Sequence, residues 1–294
     1  MRVTGIGGGH GLAVTLAAAR AYASDVAAVV TVADDGGSSG RLTRELGIPP
    51  PGDIRNCLAA LATDAELAEL VQHRFGSGAL AGHALGNLLI AALAESTGDF
   101  AEAVGKAARL VRANGSVHPA TTELVGLRAR VNGGEVEGQV AVAQAEGPIQ
   151  AVYLEPAGPR ANDHAVEAIL SADQIVIGPG SLFTSVIATL LVPGIAKALA
   201  KTRGHRVFVC NARVQERETS GFDAAAHVAA LLAHAGPRCV DTVIVQRPEL
   251  GDGGVAVDTG ALSFFGVEVV RADVATSDGT HTAGKLAAVL ERLA

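Results

Sequence analysis

Two adjacent carboxylates, Asp34 and Asp35, end the apolar run 26–32, and a Gly/Ser segment closed by Arg41 follows them. Val-, Ile- and Thr-rich runs of this length read as buried strands, which puts both aspartates at a strand's carboxyl end. In open α/β sheets that edge is where ligands bind. Gly36, Gly37 and Gly40 let backbone N–H groups turn toward an anion, and Ser38 and Ser39 add hydroxyl donors. Side-by-side carboxylates in such a place suit a metal ion, a ribose hydroxyl or a proton. The plainer alternative is a solvated turn with an Asp cap, although turns seldom need so many small polar residues in succession.

Four further stretches carry groups of the same kind. Gly7-Gly-Gly-His-Gly11 lies between a strand-like start, Arg2–Ile6, and an Ala-rich helix expected over 12–22. A strand, glycine turn and helix in this order aim unpaired helix N–H groups at a ligand, commonly a phosphate, and make Gly8, Gly9, His10, Gly11 and Leu12 candidates. The strict dinucleotide fingerprint fails, because His10 or Leu12 falls where its last glycine belongs, depending on where counting starts. His10 is placed either to donate to a phosphate or to cap the helix. In Pro51-Gly-Asp-Ile-Arg-Asn56, Asp53 suits the N-cap of a helix and Arg55 falls in its first turn, where the helix dipole disfavours a cation; with Asn56 beside it, Arg55 reads as an anion binder. Gly82-His-Ala-Leu-Gly-Asn87 is expected to open an apolar helix with His83 and Asn87 at i and i+4 on one face, either a satisfied core pair or part of a site. Gly178-Pro-Gly-Ser-Leu-Phe-Thr-Ser185 follows a buried strand, 174–177, as a second small-residue turn opening a helix, with Gly178, Gly180, Ser181 and Thr184 as candidates. The strand 206–210 then delivers Asn211 to the same edge.

The elements that position these groups alternate strand and helix, except between 125 and 155. There the period drops to two: Leu127, Ala129 and Val131 alternate, Asn132-Gly-Gly134 turns, Val136, Val140 and Val142 alternate back, and a third strand covers 149–154. The expected fold is a single α/β domain over 1–294, Rossmann-like and doubly wound, with a mainly parallel sheet, helices on both faces and an antiparallel hairpin insert. Its apolar share of 49% supports a sizeable core, with only 3% aromatics. A net charge of −7 and the lack of a basic run argue against nucleic acid as the main partner. Cys57, Cys210 and Cys239 are far apart and odd in number, as expected of reduced core thiols. The immediate start on a strand and the shortness of the apolar windows lead to the expectation of a cytoplasmic protein with no signal peptide and no membrane span. Ala/Leu helices permit a homo-dimer. Gly279-Thr-His-Thr-Ala-Gly-Lys285 has the spacing of a P-loop, but Leu286 stands where a Ser or Thr must ligate magnesium, so an NTPase is rejected while His281 and Lys285 stay candidates to face an anion.

The stretches Val32-Ala-Asp-Asp-Gly-Gly-Ser-Ser-Gly-Arg-Leu42 and Pro50-Pro-Gly-Asp-Ile-Arg-Asn-Cys-Leu58 resemble the signature of the YvcK-type gluconeogenesis factors, the bacterial branch of the CofD-like family. Gly82–Asn87, Gly178–Ser185 and Cys210-Asn211 with Glu218-Thr219 continue the resemblance in order, over nearly the whole chain. The resemblance implies a cytoplasmic regulatory protein with no established catalysis and no required cofactor. Its implied ligand is a UDP-sugar such as UDP-N-acetylglucosamine or UDP-glucose, its implied role lies in cell shape and cell-wall synthesis, and the protein it regulates is unidentified. The CofD relatives are 2-phospho-L-lactate transferases that use a nucleotide diphosphate donor and Mg2+. If the chain is such an enzyme, Asp34 and Asp35 are its catalytic and metal-binding candidates. His10 stands where the family usually has Thr, Glu216-Arg217 where it has Pro-Gly, and Thr282 where an Asp commonly follows the histidine.

Overall fold

The computed structural model describes residues 1–294. In chain order the elements are β1 (Arg2–Gly7), α1 (Gly9–Ala19), β2 (Asp25–Val30), α2 (Gly37–Leu46), α3 (Gly52–Leu61), α4 (Ala65–Gln72), α5 (Leu85–Thr97), α6 (Phe100–Leu110) and β3 (Ser116–Pro119). An insert follows, made of β4 (Gly126–Val131), β5 (Gly134–Glu137), α7 (Gln139–Ala143) and β6 (Ile149–Glu155). The second half contains α8 (Asp163–Ser171), β7 (Gln174–Ile177), a π-helical turn (Leu182–Ile187) running into α9 (Ala188–Leu190), α10 (Pro193–Lys201), β8 (His205–Val209), α11 (Ala224–Ala235), β9 (Thr242–Gln246), α12 (Thr259–Ser263), β10 (Glu268–Ala272) and α13 (Ala283–Leu290).

Seven strands form one sheet in the order β10-β9-β8-β7-β1-β2-β3, and every neighbouring pair is parallel. The chain builds outward from β1 to β3, returns to lay β7 on the other side of β1, and builds outward again. That reversal makes the β1/β7 boundary a topological switch point, where the loops diverge to opposite faces and leave a crevice at the carboxyl ends. The expected doubly wound fold is what the structure shows.

The strands are buried on both faces, so successive residues divide between two cores. Val26, Ala28, Val30, Val176, Val207, Val209 and Ile244 join Leu12 and Leu16 of α1, Ile54 and Leu58 of α3 and Leu286 of α13. Val29, Ile175, Ile177, Phe208, Val243 and Val245 face the other way, onto Ile169 of α8, Ile195 of α10, Val228 of α11 and the insert. The three cysteines are free and buried, as expected. No single helix is long and apolar enough to cross a membrane.

Two local expectations are corrected, and one strand has no counterpart in the sequence reading. The segment after Asp35 is not a loose Gly/Ser turn: α2 begins at Gly37 and takes Ser38 and Ser39 into its first turn. β3 has no sequence signal, because four residues ending in proline are too short to show a period; Pro119 is tolerated on this edge strand. In the insert, β4 pairs antiparallel with β5 and β6 as expected, but β5 ends at Glu137, and Val140 and Val142 lie on the short helix α7.

The two halves are pinned at the switch point by Thr15 of α1, whose buried hydroxyl donates to the Gly178 carbonyl at 2.6 Å. Thr15→Val keeps the side-chain shape but leaves that carbonyl unpaired, so it is expected to lower unfolding stability by about 1–2 kcal/mol, read as an earlier urea midpoint at unchanged slope.

Candidate functional site

Two glycine turns meet across the switch point. A Cβ on Gly11 would fall onto the Pro179 carbonyl, so only glycine lets the start of α1 lie against the turn after β7. Gly8 is equally constrained: a Cβ there would run into the Asp53 carboxylate and the Thr31 methyl group. The crevice beside this contact is a hollow of about 260 Å³, lined among others by His10, Gly11, Gly180, Asn211, Gln215 and His281.

The helix termini at the two turns are in opposite states. α1 starts at Gly9 with no side-chain cap and no acidic residue in its first turn. The Leu12 amide bonds back to the Gly8 carbonyl, whereas the His10 and Gly11 amides have no partner in the chain. Leu12, a sequence candidate, is therefore core: its side chain is fully buried and its N–H is spent. His10 is exposed at the rim.

The turn after β7 is already filled. The Gly180 amide donates to Asn211 Oδ1 at 3.3 Å and the Leu182 amide to Gln215 Oε1 at 3.3 Å. The amides of Phe183 and Thr184 both donate to Glu218 Oε1, at 2.7 and 3.0 Å, and the Thr184 hydroxyl adds to the same carboxylate. Gln215 Nε2 also donates to the Ser181 hydroxyl at 3.0 Å. Glu218 is 4% exposed, and burial raises its carboxyl pKa against the pull of the two amides. Of this stretch, Pro179 and Gly180 line the crevice, and the candidate Ser181 does not: it is half-buried with its hydroxyl held by Gln215. Thr184 is turned to Glu218, and Gly178 is buried under the crossing with its carbonyl taken by Thr15. Gln215 and Glu218 were not singled out for any role from sequence, since a polar loop has no period to betray which residue folds back.

The acidic part of the site also differs from the expectation. Asp35 is exposed and turned to the insert, where its Oδ1 accepts the Val140 amide of α7 at 3.0 Å. Asp34 instead accepts the Gly36 amide at 2.9 Å, is hydrogen-bonded by Ser39, and lies against Gly52 at the start of α3. α3 therefore adds a third carboxylate, Asp53, to the adjacent pair: the Asp34 charge acts on Asp53, and the Asp35 charge acts on Asp34. Asp53 does not cap α3, which begins one residue earlier with Pro51 at the N-cap; it turns to the Gly8–Gly9 backbone. Its carboxyl group is enclosed, and burial first and the Asp34 charge second push its pKa up to about 7. Asp34 is raised as well, mainly by burial, while Arg55 works the other way on both. No group of three or more His, Cys, Asp or Glu side chains is arranged to hold a metal ion. A Mg2+ here would take the Asp34 and Asp53 carboxylates and complete its shell with phosphate oxygens and water, which is how that ion is commonly bound.

Arg55 is 7% exposed; its Nη2 donates to Asn56 Oδ1 at 2.8 Å, and Gln72 steadies the same Asn56 oxygen. His83 is not on a helix, because α5 begins at Leu85. It and Asn87 still converge: His83 Nδ1 and Asn87 Nδ2 each lie 3.0 Å from the buried Ser38 hydroxyl. Arg41 donates to the Ala81 carbonyl at 2.9 Å, and Arg74, missed in the sequence, donates to the Gly82 carbonyl beside it. Lys285 is tied to Asp273 and the Ala275 carbonyl and does not face an anion, whereas His281 lines the crevice with its Nε2 unpartnered.

Residues 3–275 match the family model described as 2-phospho-L-lactate transferase CofD. The chain belongs to the CofD family. Within this family it is 40% identical over 301 residues to the gluconeogenesis factor of Bacillus subtilis, covering 97% of this chain and 95% of that protein. It is 43% identical over 249 residues to the gluconeogenesis factor of Halalkalibacterium halodurans, covering 84% and 77%. A crystal structure of a UPF0052 family member from Bacillus halodurans superposes with a TM-score of 0.94 at 39% identity, covering 98% of both chains. In this CofD-family chain the matched region includes every residue of the crevice except Gly279, Thr280 and His281.

The Asp34/Asp53 pair gives the protein a pH signature. A carboxyl whose pKa is raised in the folded state favours folding below the ordinary carboxylate range and loses that contribution as pH rises toward 7. Asp53→Asn removes the loss. The variant is expected to melt near wild type at pH 4 and above it at pH 8, by on the order of 2–4 kcal/mol, read from paired thermal melts across that range.

Proposed function

We propose that this protein is a regulatory binder of a nucleoside diphosphate sugar of the UDP-N-acetylglucosamine or UDP-glucose type, acting in the cytoplasm. The observation that carries this reading is the uncapped start of α1 at the switch point, with two unpartnered amides beside a hollow of about 260 Å³. Helix N–H groups and the helix dipole favour a phosphate there. The diphosphate would lie over His10 and Gly11. The base or the sugar would enter the hollow among Asn211, Gln215 and His281. Ser38, although it touches a histidine, is buried and held between His83 and Asn87, which suits a structural relay better than a nucleophile. The name gluconeogenesis factor carried by the relatives agrees with a task in carbon supply. The link to cell shape and cell-wall synthesis, and to an unidentified protein partner, comes from the family resemblance.

A second reading is a Mg2+-dependent transferase of the CofD kind, favoured by the neighbouring carboxylates Asp34 and Asp53 and by the description of the matching family model. Bound there, the cation would supply charge neutralisation of a donor diphosphate. An acceptor hydroxyl would form a new O–P bond as the P–O bond to the nucleotide breaks, with nucleoside monophosphate leaving and the acceptor proton passing to solvent.

Calorimetric titration with UDP-N-acetylglucosamine is expected to give saturable heat with about one ligand per chain. Asn211→Ala is expected to weaken it about tenfold at an unchanged fold. Absence of both heat and any melting shift at millimolar ligand counts decisively against the binder. Incubation with nucleotide donors, acceptors and Mg2+ separates the readings: intact donor supports the binder, and nucleoside monophosphate release abolished by Asp34→Asn supports the transferase.

A further inference from the structure

Around the turn that precedes α5, three arginines gather with no carboxylate in salt-bridge contact. Arg41 reaches from α2 to the Ala81 carbonyl, and Arg74 reaches to the neighbouring Gly82 carbonyl, so both guanidinium groups flank one tight turn. A Cβ on Gly82 would lie 3.0 Å from Arg41 Nη2. His83 follows in the same turn; its Nδ1 is engaged by Ser38, and its Nε2 has no partner in the chain. Arg55 lies behind them, 7% exposed, with its Nε buried and unpartnered. None of the three arginines belongs to any salt bridge of the protein.

This arrangement is costly as it stands. Like charges gathered in a partly buried place repel, and a buried guanidinium atom without an acceptor loses its hydration for nothing. The Asp34 and Asp53 carboxylates favour the Arg55 charge, and the neighbouring Arg74 opposes it. Arg41 and Arg74 each use one N–H on a carbonyl and keep the rest of their planar donor fork, which matches the oxygens of a phosphate group.

We propose that Arg41, Arg74 and His83, backed by Arg55, form a second anion site, built for the phosphate group of a ligand other than the nucleotide at the glycine turns. The second site lies apart from the hollow beside α1, which none of Arg41, Arg55, Arg74 and His83 lines; Asp53 rests on the Gly8–Gly9 backbone, while Arg55, two residues on, packs against Gly86 in the first turn of α5. Only the identity of the first ligand depends on the nucleotide-sugar reading.

The test is titration of the full chain with inorganic phosphate at constant ionic strength, followed by calorimetry and thermal melts, in wild type, Arg74→Ala, Arg74→Lys and Arg41→Gln. Wild type is expected to be stabilised saturably. Arg74→Ala, at an exposed position where the fold is not at stake, is expected to weaken phosphate binding at least about tenfold, and Arg74→Lys to restore part of it. Repeating the titration with saturating UDP-N-acetylglucosamine is expected to leave phosphate affinity unchanged within about twofold. A sugar phosphate binding more tightly than orthophosphate assigns a phosphomonoester, and equal affinity assigns the free ion. No phosphate binding by wild type, undiminished binding by Arg74→Ala and Arg41→Gln, or displacement of phosphate by the nucleotide sugar each overturns the second site. If the nucleotide sugar gives no heat while phosphate binds through Arg74, the proposed function fails and this site stands.

Discussion

At the carboxyl end of β1 the backbone presents helix amides that nothing in the chain accepts, and nearby stand carboxylates that burial drives toward protonation. Both are unfavourable in the free protein. An anion on the amides and a cation or proton between the carboxylates would relieve them together. The remaining features of the site are arranged around that imbalance: glycines that allow the turns to touch, Arg55 held by Asn56, and half-buried carboxylates between α2 and α3.

The contrast between the two helix starts explains why one turn is open and the other closed. Both follow a strand of the same sheet and both are rich in small residues. After β7, however, the loop beyond β8 folds back and supplies Asn211, Gln215 and Glu218 as acceptors. Glu218 occupies the place that an anion would take, so the same structural motif becomes a brace for the crevice wall. At α1 no loop returns, and the N–H groups remain available.

The antiparallel insert has a larger part than its pattern suggested. α7 takes the Asp35 carboxylate through the Val140 amide and reaches the Thr184 carbonyl through Gln139, so it ties the acidic turn to the braced helix start. This is why the adjacent aspartates part company: one secures the insert and the other remains with Asp53. The arginine cluster arises in a similar way, from residues on α2, α3 and the turn before α5 that no local pattern connects.

The amino-acid sequence by itself determined the alternation of strands and helices, the glycine turns, the buried thiols and the delivery of the candidate residues to the carboxyl edge, because these follow from local periods and from backbone positions where only glycine fits. It also carried the family, through two long motifs. Tertiary structure alone decided that Asp53 joins Asp34, that Glu218 closes the second turn, that His83 lies ahead of its helix, and that Arg74 joins Arg41. Each of these depends on groups far apart in the chain, such as Thr184 with Glu218 or Asp35 with Val140, and the contact that settles them exists only once the sheet has brought its loops to one edge.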